Sequence, residues 1–343
     1  MNLRFAPYRL QLKYPFRLAT GTRTFTATVQ VQLELNGTIG YGEASMPPYL
    51  GESIESVTAF LSKLKTENWQ IGDLTSILRE LDSLSDKDNA AKAAVDIALH
   101  DLKAKLLGIP TRQLFSIDAT RTPPTALTIG MGTEAELKQK VKEAADFQVL
   151  KIKLGGPDDK DKIDFLRSMT DKPFLVDANQ GWTNVESALR MIDHLSALNV
   201  LLVEQPMPVV TPTEEWFALK QKSALPIFAD ESVKRLVDLE ASAELFHGMN
   251  IKLMKSTGLA EAHAMLNRCQ QLGLQTMIGC MTESSCAIMA AAQLAPQATF
   301  VDLDGPFLIN NDPFEQPTLQ DGCILLNSTS GNGAVPSASA FPI

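Results

Sequence analysis

Residues 149–255 contain VLKIKL (149–154), FLVDANQGW (174–182), VLLVEQP (200–206), PIFADES (226–232) and MNIKLMK (249–255). Each run is apolar and ends in a charged residue: Lys153, Asp177, Glu204, Asp230 and Lys252. Successive charges are 24, 27, 26 and 22 positions apart. A strand, a helix and two short loops take up about that length. The spacing therefore predicts parallel strands with one charge at each C-terminal end. In a (β/α)₈ barrel those ends converge on one face, where chemistry is found. Three carboxylates between two lysines predict a metal site flanked by amine bases.

Working outward, further apolar runs complete the set of eight: TALTIG (125–130), LQTMIG (274–279) and TFVDLD (299–304). Helical stretches such as TEAELKQKVKEAADF fill the gaps, as βα repeats require. Upstream, TATVQVQLELNG alternates apolar and polar residues. It turns at Asn36-Gly37 into TIGYGEA, a hairpin signal. Helical patterns follow across 52–107, the last ending at Gly108 and Pro110. Strands and then helices in separate blocks predict an α+β domain. The expected fold is a modified TIM barrel over residues 116–309. An α+β cap over 1–115 roofs its mouth, and a tail from about 310 to 343 packs back on the cap.

Composition narrows the class. The chain has 343 residues, 45% hydrophobic and 21% charged, with a net charge of −9 and no basic block. That argues against a nucleic-acid partner. The four cysteines (Cys269, Cys280, Cys286, Cys323) form no CxxC pair, so a reducing compartment fits. No apolar run approaches the ~20 residues of a membrane span. The N-terminus MNLRFAPYRLQLKYPF does not read as a signal peptide. A cytoplasmic protein without a membrane partner is expected.

Strand alternation turns Lys151 and Lys153 the same way, into the barrel. Asp177, Glu204 and Asp230 offer hard oxygens that suit one Mg²⁺ per site. Taken singly, each has the alternative of a helix N-cap or a loop salt bridge, and for Asp177 and Asp230 the cap weighs evenly with a ligand; at three successive strand ends they read as ligands. Lys252 shares inward parity with Asn250, and Lys255 in the next loop is the substitute. Lys153 and Lys252 come from opposite sides of an eight-strand barrel. A substrate carboxylate on the metal would have its α-carbon between them. Mg²⁺ would stabilise the developing enediolate. Removal of a proton on one face and return on the other is racemisation or epimerisation.

KIK (151–153), DANQGW (177–182), VEQP (203–206), ADES (229–232) and NIKLMK (250–255) together resemble the muconate-lactonising subgroup of the enolase superfamily. AAVDIALHDLKAKLLGIP resembles that subgroup's capping-domain helix. The resemblance covers almost the whole chain. It implies the capped barrel, Mg²⁺, the acid/base pair Lys153 and Lys252, and Lys151 neutralising a bound carboxylate.

Within the subgroup, VDLDGP places Asp302 and Asp304 on one face, which resembles the mark of dipeptide epimerases. Two carboxylates there would receive the α-ammonium of a small-molecule dipeptide; the alternative is a cap on the turn at Gly305-Pro306. By analogy the Cys280–Met281 backbone contacts substrate. Cys280 lacks a nearby histidine to make it a nucleophile. Thr128 is taken as a further substrate contact. Arg23, in the stretch LATGTRTFT, either meets an acidic substrate side chain or is a solvated loop charge. Tyr49 and Leu50 would line an apolar pocket instead. The alternatives are N-acylamino acid racemase, o-succinylbenzoate synthase and cycloisomerase, or a non-catalytic metal- or peptide-binding barrel. A homo-oligomer is compatible with all of these.

Overall fold

The computed structural model describes residues 1–18, 21–46 and 50–337. The chain opens with three antiparallel strands, β1 (Asn2–Leu18), β2 (Gly21–Leu35) and β3 (Thr38–Ser45), in the order β1-β2-β3. Leu35 pairs Thr38 across the Asn36-Gly37 turn, where both turn residues have positive φ. Three helices follow: α1 (Ile54–Leu61), α2 (Leu74–Ser83) and α3 (Asn89–Leu107). The alanine-rich α3 lies against β3 so closely that a Cβ on Gly42 would stand 1.9 Å from the Ala94 carbonyl oxygen. Its Gly108 cap, at φ +68, stops it where the sequence indicates.

A short strand, β4 (Arg121–Pro124), precedes the barrel. The eight barrel strands are β5 (Ala126–Ile129), β6 (Val149–Lys153), β7 (Phe174–Asp177), β8 (Val200–Glu204), β9 (Ile227–Ala229), β10 (Gly248–Lys252), β11 (Gln275–Gly279) and β12 (Phe300–Asp302). All eight coincide with the predicted runs, and each pairs in parallel with the next in chain order. A parallel bridge between Thr125 and Val301 draws the two ends together. Helices α4 (Glu134–Glu143), α5 (Asp159–Arg167), α6 (Val185–Ser196), α7 (Thr213–Lys222), α8 (Leu239–Ala243), α9 (Leu259–Gln271) and α10 (Ser285–Leu294) surround it. The eighth repeat departs from expectation. Instead of an α-helix, β12 leads into a single 3₁₀ turn, Gly305–Leu308.

Alternation sorts the barrel interior into layers. Ala126, Leu175, Leu202, Phe228 and Met277 form a small buried apolar cluster. Two residues further along the same strands stand Thr128, Asp177, Glu204, Asp230 and Gly279. The charged layer thus rests on an apolar floor, which fixes its depth. Phe228 fits because Gly248 has no side chain: a Cβ there would stand 2.4 Å from the ring.

The last strands, β13 (Leu319–Gln320) and β14 (Cys323–Leu325), form a small sheet in the order β13-β14-β4 and do not join the cap sheet. Other tail residues bind the cap. Asn310 donates to the Gln11 carbonyl, and the Asn332 amide to Asp101 at 2.6 Å. The cap is also tied to the barrel mouth. Ser45 Oγ donates to the Thr282 carbonyl at 2.8 Å, and Asp96 accepts from the Leu259 amide at the start of α9.

Candidate active site

Asp177, Glu204 and Asp230 come from the ends of β7, β8 and β9. One carboxylate oxygen of each lies within 4.8 Å of the others, and all three residues are buried. None caps a helix; Asp177 Oδ1 accepts from the Asn179 amide instead. Burial and the neighbouring Asp177 push Glu204 up to about 7. Burial also opposes ionisation of Asp230, but Lys252, Lys255 and Lys151 together hold its carboxyl well below the usual range. Three converging oxygens in a dry, mutually repelling cluster fit a small divalent cation of hard character.

Lys151 is fully buried between the triad and the eighth strand. Its Nζ lies 2.7 Å from Glu204, 3.2 Å from Asp177 and 2.8 Å from Asp302. Burial works against its charge, yet Asp302 and the triad carboxylates raise its pKa well above the ordinary value. It is a fixed cation. Lys153 Nζ lies 2.6 Å from Asp177, and Lys252 Nζ 2.7 Å from Asp230. β6 and β10 are four places apart in the eight-strand order, so the two ammonium groups approach from opposite walls.

One cavity at this end of the barrel is lined by Lys151, Lys153, Lys252, Asp230, Asp302, Asp304, Thr128, Cys280, Met281 and Arg23. Asp304 sits at the start of the 3₁₀ turn but makes no side-chain cap to it. Its Oδ2 accepts from the Thr128 amide at 2.6 Å. Burial and Asp302 raise it to about 6. Cys280 Sγ lies 3.8 Å from Asp304. Burial, with Asp304 and Asp302, pushes its thiol far up, the opposite of an activated nucleophile.

Arg23 does not lie in a loop. Backbone pairing continues along the ribbon to Arg23 opposite Phe16 and Gly21 opposite Leu18, and is interrupted only between Gln11 and Phe16. LATGTRTFT lacks apolar and polar alternation, although its threonines at every second position favour a strand. Tyr49 lies outside the described residues. Leu50 packs partly buried against the main core and does not line this cavity.

Several supporting contacts escape the sequence reading. Asn250, inward on β10, donates to Glu204 at 2.7 Å. Gly279 on the next strand makes room for it: a Cβ there would stand 2.4 Å from Asn250 Oδ1. Gln205 Oε1 accepts from the amides of Asp230 and Ser232 and so sets the backbone that carries the ligand. Lys255 turns back from its loop to reach Asp230 Oδ1 at 2.6 Å and the Asn250 carbonyl at 3.0 Å. Lys252 and Lys255 thus both grip Asp230. Inward parity places Asn250 on the right face but does not name its partner, and parity says nothing of a turn such as Lys255's.

Glu283 accepts from the Met281 amide at 2.7 Å. Burial, reinforced by Glu43, raises it to about 8. The folded protein therefore holds a proton that the unfolded chain releases above about 4.3. Stability falls as pH rises from there to about 8, then levels off. Glu283→Gln, neutral throughout, is expected to be the more stable form at pH 8.5 by roughly a few kcal/mol. At pH 4 the two should be nearly equal. Urea unfolding at both pH values checks this; a constant difference would contradict it.

Among the described residues no helix is long and apolar enough to cross a membrane. Two sequence families match the chain: "Mandelate racemase / muconate lactonizing enzyme, N-terminal domain" over residues 2–116, and "Enolase C-terminal domain-like" over 133–340. The L-Ala-D/L-Glu epimerase of Bacteroides thetaiotaomicron is 49% identical over 339 residues, 98% of this chain and 88% of that one. The substrate-liganded L-Ala-D/L-Glu epimerase from Bacillus subtilis has a TM-score of 0.92 at 26% identity, over 98% of this chain and 99% of that one. The dipeptide epimerase from Enterococcus faecalis V583, complexed with Mg and L-Leu-L-Tyr, gives 0.90 at 28%, over 97% and 98%. By its sequence and its capped barrel alike, the chain belongs to the mandelate racemase/muconate lactonizing enzyme family of the enolase superfamily.

Proposed function

We propose that this chain is a Mg²⁺-dependent dipeptide epimerase that inverts the α-carbon of the C-terminal residue. The observation that carries the reading is the pairing of two opposed lysines with a second acidic pair, Asp302 and Asp304, in the wall of the same cavity. Relatives named as epimerases of Ala-containing dipeptides support it.

Asp177, Glu204 and Asp230 would hold the Mg²⁺. Once bound, it supplies positive charge beside the substrate carboxylate and makes the α-proton more acidic. Lys151 adds a second fixed charge at that end. Asp302 and Asp304 accept the N–H groups of the substrate ammonium, so the two ends of a zwitterionic dipeptide are fixed. The α-carbon then lies between Lys153 and Lys252. One Nζ takes the proton and the other returns one to the opposite face. Arg23 at the cavity wall suits an acidic C-terminal side chain, which makes L-Ala-L-Glu the first substrate to test. Residues 1–115 with the tail from about 310 would form the cap, and 116–309 the barrel. Four unpaired cysteines accord with a reducing cytoplasm.

The test is incubation of a dipeptide library with Mg²⁺ in D₂O, read by mass spectrometry for α-deuterium. Label in dipeptides with a free amine is expected. Label confined to N-acylated amino acids would overturn the dipeptide assignment and make the protein a racemase. No label in either set would exclude proton-transfer chemistry at the α-carbon.

A further inference from the structure

A second cavity adjoins the first. It encloses about 350 Å³, against about 70 Å³ for the catalytic one. The larger is of the size that binds small organic groups, ~300 Å³ and above. Thr128 and Leu308 belong to the walls of both. Beyond them the second cavity lies outside the barrel sheet. Its apolar surface comes from Leu12, Ile129, Phe147 and Leu319, and the charged residues Lys13, Lys140, Glu143 and Asp146 complete the wall. It persists because the strand carrying Leu12 leaves its ladder: pairing of β1 with β2 is interrupted between Gln11 and Phe16. Leu12 bridges to Ile309 instead. Tyr14 closes the outer side by donating to Glu143 on α4 at 2.6 Å.

The shared wall is also where the acidic pair is fixed. Asp304 accepts from the Thr128 amide, and Leu308 ends the turn that Asp304 begins. In a dipeptide whose ammonium is held there, the N-terminal side chain springs from the same carbon as the ammonium. It therefore starts beside Thr128 and Leu308.

We infer that the outer cavity receives the N-terminal side chain of the dipeptide, favouring aliphatic or aromatic groups, and that Leu308 sets how far such a side chain enters. This rests on the dipeptide epimerase reading and adds the determinant of its N-terminal preference. A methyl group stops at Leu308; a larger apolar chain displaces it and takes up the space lined by Ile129, Phe147 and Leu319.

Two variants act on this space from opposite sides. Leu308→Ala opens the shared wall. Leu319→Trp fills the outer cavity from a position remote from the catalytic one. The readout is the ratio of kcat/KM for L-Leu-L-Glu to that for L-Ala-L-Glu, by α-deuterium exchange. Leu308→Ala is expected to raise the ratio about tenfold or more, the scale on which apolar pockets discriminate. Leu319→Trp is expected to lower it, with L-Ala-L-Glu turnover kept, and to cancel the gain in the double variant. An unchanged ratio in both single variants, with exchange on L-Ala-L-Glu intact, would overturn the inference and leave the epimerase reading standing. Should Leu308→Ala not fold, Leu319→Trp alone decides. Absence of exchange by the unaltered enzyme on either dipeptide would instead remove the function and this inference with it.

Discussion

Lys153→Met is expected to abolish epimerisation while leaving α-proton exchange in one epimer only. Lys153 and Lys252 stand on strands four places apart in the barrel order, so each serves a different face of the α-carbon. With Lys153 gone, Lys252 still removes and returns a proton on its own side. The epimer presented to Lys252 exchanges without inverting, and the other is inert. Lys252→Met should give the mirror result. General acid–base groups contribute about 10²–10⁴ in rate, so inversion should fall by about a thousandfold or more in either variant. Chiral chromatography with mass detection in D₂O separates exchange from inversion. Equal loss of exchange in both epimers from one substitution would refute the two-face assignment. Retained inversion would exclude the lysine as a base.

The second large effect concerns the metal triad. Asp230→Ala is expected to abolish Mg²⁺ binding and also to destabilise the metal-free protein by about 3–5 kcal/mol, the scale for breaking a buried ion pair. Asp230 is 2% exposed and is the shared partner of Lys252 and Lys255, themselves 4% and 2% exposed. Its removal takes from both buried ammonium groups the carboxylate they share. Adding Lys255→Met should recover part of that stability without restoring Mg²⁺. Urea unfolding in chelator gives the first quantity. The rise of Tm with Mg²⁺, present in the parent and absent in the variants, gives the second. Unchanged unfolding of Asp230→Ala would mean that the paired lysines do not depend on it.

The barrel was legible because its strands are buried on both faces and end in charges. Apolar runs at near-constant spacing are a strong signal, and parity carried Lys151, Asp302 and Asp304 inward. What escaped depends on folding in three dimensions. Lys255 returns through a turn whose course no periodicity encodes. Gln205 acts through its side chain on the neighbouring strand's backbone, a contact between residues 25 positions apart. The two-residue β13 is too short to show alternation. The ribbon that carries Arg23 is rich in threonine, a residue that favours strands, but its faces carry no apolar and polar contrast to mark the pairing. The short turn that replaces the eighth helix, Gly305–Leu308, was not legible: proline in the first turn of a helix is tolerated and does not by itself limit its length.

The opposed lysines have a consequence for what the site can discriminate. The protein walls on which they stand do not exchange places when the substrate inverts. With carboxylate and ammonium pinned at the two ends, the C-terminal side chain must sweep from one side of the α-carbon to the other on every turnover. The space around it has to be a sector wide enough for both end points, not a mould for one. The N-terminal residue undergoes no such motion and needs room on one side only. Tolerance should therefore be built into the C-terminal position by the stereochemistry itself, whereas at the residue that is never inverted selectivity is set by the walls alone.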